Sequence, residues 1–212
     1  MSWKSHFHNR VTAGVVWRYR SAVYSFRRLR KPSSCSPYHP CRIYVVGPQT
    51  VTHLLDKRLD NRTLGVVLPG DWDIGAIPIA VTRVGRGLTQ RFVEGRPWNQ
   101  TDLHPEATTV LDRKRGKYAG ESTDFEARTA YLDELWRQLQ VGGYLSHREL
   151  GEPLESVMTV CLGRDGRLVR NKGGLHRLVM AQLLGLERVP VRVIAVHPEF
   201  VDRHSVRLIS EY

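Results

Sequence analysis

The chain has 212 residues, 41% of them hydrophobic and 25% charged, and a net charge of +11. This balance reads as an ordinary soluble globular protein, and the length suits one domain with an appendage. Three cysteines, Cys35, Cys41 and Cys161, are too few and too irregularly spaced for a disulfide framework or a zinc site, and no apolar run approaches bilayer length. The expectation is a cytoplasmic protein with reduced thiols.

The charge is concentrated at the start. Residues 1–55 hold nine Lys/Arg and no acid, whereas the remainder holds 23 Lys/Arg against 21 acids. Residues 11–30 read as a basic amphipathic helix, with Val11, Val15, Ala22 and Phe26 at helical spacing and Arg18, Arg20, Arg27, Arg28 and Arg30 as its charged surface. Pro32-Ser33-Ser34 ends it and opens a linker to Pro40, which divides the chain into an N-terminal arm, 1–40, and a domain, 41–212. Two roles stay open for the arm. It is a solvated or docking helix, or residues 1–31 meet nucleic acid or an acidic surface through counterion release.

Ile43–Val46 and Leu64–Leu68 are β-rich runs bounded by Gly and Pro and predict strands, with a short helix over Val51–Leu59 between them. Ser122–Val141 is the strongest helix: Thr123-Asp124-Phe125-Glu126 reads as a capping box, Leu132, Leu135, Trp136 and Leu139 recur at helical spacing, and Gly142-Gly143 stops it. A β-hairpin follows, Ser156–Leu162 and Arg167–Arg170 around Arg164-Asp165-Gly166. A helix over Leu175–Leu184 ends at Gly185, and Val189–Val196 forms a last strand. The predicted class is α+β, a mixed sheet with helices packed on it and a basic N-terminal helix.

The densest chemistry lies in Lys172-Gly173-Gly174-Leu175-His176-Arg177. Two glycines before a helix let a ligand approach the backbone, and the first-turn N–H groups of that helix favour an anion. Arg177 offers a planar donor fork, His176 a proton donor or acceptor, and Lys172 a point charge. The alternative is a plain strand-to-helix turn. A second candidate is Gly70-Asp71-Trp72-Asp73, in which Asp71 and Asp73 project to one side if extended and suit Mg²⁺ or base catalysis. Its alternative is a loop in which both carboxylates cap backbone N–H groups. His197 at the end of the last strand is a weaker pocket candidate, and Arg91 a weaker phosphate contact.

The run Val157–His197, with Gly173-Gly174-Leu175-His176-Arg177-Leu178 at its centre, resembles the core motif of the ParB/sulfiredoxin-like superfamily, which includes the ParB-like nuclease domain. Gly70-Asp71-Trp72-Asp73 and the run from Arg91 to Thr101 resemble an uncharacterised ParB-like family. The resemblance spans roughly residues 40–200 and implies a ParB/sulfiredoxin-like fold whose glycine turn binds nucleotide phosphates. Leu175 stands where sulfiredoxins carry their reactive cysteine, the glutamate of the ParB turn is absent, and only Pro198–Tyr212 follow the core, too few for a helix-turn-helix.

Together these readings predict a nucleotide- or phosphate-binding domain. ATP, ADP or CTP is the expected ligand and Mg²⁺ its companion, with phosphoryl transfer or nucleotide hydrolysis as the natural reaction. Asp71, Asp73 and His176 would be catalytic, Asp71 and Asp73 would hold the metal, and Lys172, Gly173, Gly174, Leu175, His176, Arg177 and His197 would hold the ligand. Two other classes stay open: a DNA- or RNA-binding protein or nuclease using the basic arm, and a non-catalytic module whose assembly a nucleotide switches.

Overall fold

The computed structural model describes residues 3–59, 64–105, 122–145, 147, 149–203 and 210–211. In chain order the elements are α1 (Trp3–Arg30), β1 (Tyr44–Val46), β2 (His53–Leu54), β3 (Val66–Val67), β4 (Ile77–Pro78), α2 (Arg83–Phe92), α3 (Ser122–Gly142), β5 (Met158–Leu162), β6 (Leu168–Lys172), α4 (Leu175–Leu183), β7 (Val189–Val196), α5 (Pro198–Arg203) and β8 (Ser210–Glu211). The fold is mixed α+β. Among the described residues, no helix is long and apolar enough to cross a membrane.

The hairpin β5–β6 and the strand β7 form the spine of the sheet. Asp165-Gly166 turns the hairpin, with Gly166 at φ 82°, a conformation that suits glycine. β5 runs antiparallel to β6 and parallel to β7, and every residue of β7 is buried. A near-continuous apolar run is what a strand covered on both faces requires. β1 pairs antiparallel with the first half of β7, and β3 lies parallel along its last residues. On the other side, β2 pairs with β6 and β4 with β2, giving the order β4-β2-β6-β5-β7-β1-β8.

Alternation along the strands sends side chains to two faces. Met158, Val160, Leu162, Val191 and Val193 pack with Leu88 of α2, Leu132, Leu135 and Leu139 of α3, and Leu178 and Met180 of α4. Cys161, Val169, Ile194 and Ala195 face the other way, into a smaller cluster with Leu55. α2 packs closely because it is glycine-bearing. A Cβ on Gly85 would stand 2.1 Å from the Ile79 carbonyl oxygen, and one on Gly87 2.6 Å from Leu103. Thr82 caps its start, accepting from the Gly85 amide.

Three expectations change. The helix expected over Val51–Leu59 is a 3₁₀ turn at Pro48–Thr50 followed by β2, because Val51 and Leu55 bury against the edge of β6 instead of one helical face. The strand expected over Leu64–Leu68 shortens to Val66–Val67. The segment expected as a linker, Pro32–Pro40, is packed. Cys35 bridges to Val66, and Ser36 and Tyr38 are buried, with the Tyr24 hydroxyl donating 2.6 Å to the Ser36 carbonyl. That bond ties α1 to the body of the protein.

Candidate functional site

At the end of β6 the chain turns through Gly173 (φ 78°) and Gly174 (φ 60°) into α4. Both angles lie in the left-handed region where a Cβ is penalised, so the turn depends on glycine. Gly174 is the N-cap of α4 and provides no side chain to satisfy the first-turn amides of Leu175, His176 and Arg177. Arg170 fixes the turn from below: its Nε donates 2.7 Å to the Gly173 carbonyl oxygen. That guanidinium is buried, and burial pushes its pKa down to about 10, helped by the charge of Arg58.

His176 faces α3. Its Nε2 lies 3.4 Å from Arg128 Nη2, and the two line an open depression of about 350 Å³ with Tyr131 and Leu132. Burial first, and then the charges of Arg128 and Arg170, lower the imidazole pKa to about 4. His176 is therefore neutral at pH 7, a donor or acceptor rather than a cation. Tyr131 is 55% exposed and presents its ring at the rim.

Arg177 points elsewhere. It forms a two-armed ion pair with Glu152, at 3.0 and 3.3 Å, and that bond holds the Glu152 carboxyl below its ordinary range. The Tyr144 hydroxyl stands 3.4 Å from where a Cβ on Gly174 would be, and burial pushes its pKa up to about 12. Tyr144 thus packs as a neutral phenol against the turn.

The second group of expected residues lies at the other end of the hairpin. Asp73 accepts from the Arg164 backbone amide at 2.7 Å and from the Arg164 guanidinium, and Asp71 accepts from the same guanidinium at 2.8 Å. Burial alone would raise the Asp73 pKa, but the hydrogen bonds of Arg164 overcome it and the net shift is downward. His197 is buried beside this clamp, its Nε2 3.1 Å from the Gly70 carbonyl oxygen and its ring 6.0 Å from that of Trp72.

The strands fix the separation. Thr159 is opposite Lys172 and Leu162 opposite Leu168, so Gly173 follows one end of the hairpin while Arg164 lies in the turn at the other. Five residues of strand at about 3.3 Å each put the two groups roughly 15 Å apart. Asp71, Asp73 and His197 therefore do not converge on the glycine turn. Their expected place beside a ligand held at Gly173–Arg177 is corrected by this geometry. Nor does the carboxylate pair fit Mg²⁺, since a guanidinium occupies the space between its oxygens, and among the described residues no three His, Cys, Asp or Glu side chains cluster as metal ligands.

Arg91 is likewise engaged. It pairs with Asp133 at 3.2 Å and lies over the Trp98 ring, whose Nε1 donates to the same carboxylate. The residues that sequence reasoning missed are Arg128, Tyr131, Tyr144 and Arg170. No protein-family model, no curated protein and no solved structure matches the chain.

Proposed function

We propose that this protein binds a phosphorylated small molecule, of the nucleotide class, at the first turn of α4. The observation that carries the reading is the side-chain-free cap at Gly173-Gly174, followed in the same turn by His176, which lines a depression with Arg128. The amides of Leu175, His176 and Arg177 supply donors, Arg128 supplies charge, and the exposed ring of Tyr131 offers a stacking surface for a base. The resemblance of the Gly-Gly-x-His-Arg turn to ParB/sulfiredoxin-like proteins supports the same reading.

The amides of Leu175 and His176 keep their expected role, but the side chains of Arg177 and Lys172 do not. Arg177 holds Glu152 and so braces the loop around Gly151 rather than meeting the ligand. Lys172 is exposed and does not line the depression beside His176. Mg²⁺, as a companion of the ligand, would be held by the phosphates and water and not by Asp71 or Asp73. A binding function is better supported than phosphoryl transfer, because the carboxylates expected as bases lie at the opposite end of the hairpin.

The test is thermal stabilisation by ATP, ADP, CTP and GTP, with and without Mg²⁺. A nucleotide at 100 times its Kd adds about 2.7 kcal/mol to stability. That gain should shrink in Arg128→Gln. Full stabilisation of Arg128→Gln by every nucleotide would sink the assignment.

A second reading concerns α1. Its outward surface carries Arg18, Arg28 and Arg30 among exposed residues, with no acid nearby in sequence, which favours contact with a polyanion such as nucleic acid. Replacing Arg18 and Arg30 by Gln should flatten the salt dependence of DNA or RNA binding. An unchanged salt slope would remove this reading.

A further inference from the structure

The face of the sheet opposite α4 holds a pocket of about 430 Å³ between α1, the segment around Arg58 and Leu59, and the strands β5, β6 and β7. Its lining is unusually basic. Arg20 of α1, Arg58, Lys172 of β6 and Arg192 of β7 meet there, with Glu155 as the acid. The Glu155 carboxylate accepts from Trp17 Nε1, and its single negative charge acts on Arg192 but stands against four cations.

Arg192 is the decisive group. It is 4% exposed, in the middle of a strand that is otherwise apolar. Among the described residues its Nε is buried and meets no acceptor, and its Nη1 reaches the Pro40 carbonyl oxygen only at 3.4 Å. The Trp17 ring lies 4.6 Å from its guanidinium carbon, a cation–π contact that shields one face. Burial pushes its pKa down to about 10, so it remains charged at pH 7. A buried guanidinium with an unsatisfied donor and no carboxylate partner destabilises the fold unless an anion completes it.

The backbone shapes the site for small polar groups. A register shift beside Thr159 leaves two residues of β6, Asn171 and Lys172, facing the pocket near a single residue of β5. The Asn171 side chain accepts from the Leu59 amide at 2.8 Å and so anchors the wall that carries Arg58. The volume suits a ligand of nucleotide size or smaller.

We propose that this pocket is an anion site for an oligophosphate, a small molecule carrying two or more linked phosphate groups. Among the described residues, three guanidiniums and one ammonium converge where a single carboxylate stands, and planar arginine forks match phosphate oxygens in pairs. The site is separate from the α4 turn. It lies on the other face of the sheet, uses none of Arg128, Tyr131 or His176, and does not depend on the function proposed above.

The test is calorimetric titration of the full chain with inorganic pyrophosphate, in parallel with thermal unfolding. Arg192→Met should weaken pyrophosphate binding at least about tenfold. It should also leave the ligand-free melting temperature unchanged or higher, since an apolar side chain replaces an unsatisfied buried charge. That combination is one a purely structural arginine would not give. Arg58→Gln, on the exposed rim, should weaken binding about threefold to tenfold without changing the melting temperature, and serves if Arg192→Met does not fold. Arg128→Gln, in the depression at α4, should leave the pyrophosphate affinity of the pocket unaltered. Retained affinity in both Arg192→Met and Arg58→Gln would overturn the proposal, as would loss of all pyrophosphate binding in Arg128→Gln.

Discussion

Acidification should destabilise this protein through His176, and the size of the effect follows from its surroundings. The imidazole has a pKa of about 4 in the folded chain against 6.5 when unperturbed, because burial and the charges of Arg128 and Arg170 oppose protonation. The folded-state value is depressed, so the unfolded chain binds more protons between the two values, and stability rises with pH there. The contribution is complete above pH 6.5 and is lost progressively as pH falls towards 4. Between pH 7.5 and pH 5 the difference is about 2 kcal/mol, from the two pKa values at about 1.4 kcal/mol per unit. For a chain of this length that corresponds to about 4–8 °C in Tm. The assay is urea unfolding at both pH values for the natural protein and His176→Gln. Carboxylates add their own acid sensitivity to both proteins, so the quantity of interest is the difference between them. His176→Gln should lose about 2 kcal/mol less than the natural protein on acidification. Equal losses would refute the account of a half-buried, neutral histidine held uncharged by its burial and by the charges of Arg128 and Arg170.

Other perturbations test the remaining structure. Gly85→Ala should cost at least about 3 kcal/mol in chemical unfolding, because the new Cβ would meet the Ile79 backbone and neither partner can move cheaply. Asp73→Ala should cost about 1.5–3 kcal/mol, since it strips the charge-assisted acceptor from the Arg164 amide and guanidinium, and should leave nucleotide binding intact. Loss of nucleotide binding in that variant would show that the two ends of the hairpin are coupled. Cys161 is fully buried and burial pushes its thiol pKa up, so it should resist thiol reagents until the protein unfolds. Rapid labelling of Cys161 in native buffer would contradict the packing of the second sheet face.

Much of the C-terminal half was legible from local pattern alone. Asp165-Gly166 between two β-rich runs gives the hairpin, and Val189–Val196 forms a strand with the predicted bounds. The glycine pair before Leu175 gives the start of α4 for a stated backbone reason. The N-terminal half was less legible because tertiary pairing overrides local preference there. β2 and β3 have two residues each and exist because β6 and β7 offer them edges. α2 escaped notice since Gly85 and Gly87 argue against a helix, yet those glycines are what allow its close approach.

The site divides in the same way. The glycine cap at Gly173-Gly174 could be read from its residue types. Which partners meet His176 and Arg177 could not, because Arg128 and Glu152 are distant in sequence and are brought in by the packing of α3 and of the loop before β5. Asp71 and Asp73 read as a metal pair in sequence, but Arg164, 93 and 91 residues later, lies between them. Arg192 did leave a trace, a cation inside an apolar strand. That pattern always asks what the charge is for.

The central claim is a phosphate-binding turn at the start of α4, and backbone amide resonances read that turn directly. Nitrogen-15-labelled protein would be titrated with ADP, and the amides of Gly174, Leu175, His176 and Arg177 followed. The account predicts large, saturable shifts at these amides that diminish in Arg128→Gln. If they stay in place while ADP binds elsewhere, or if ADP moves no resonance at all, the turn is a structural cap and the claim is contradicted.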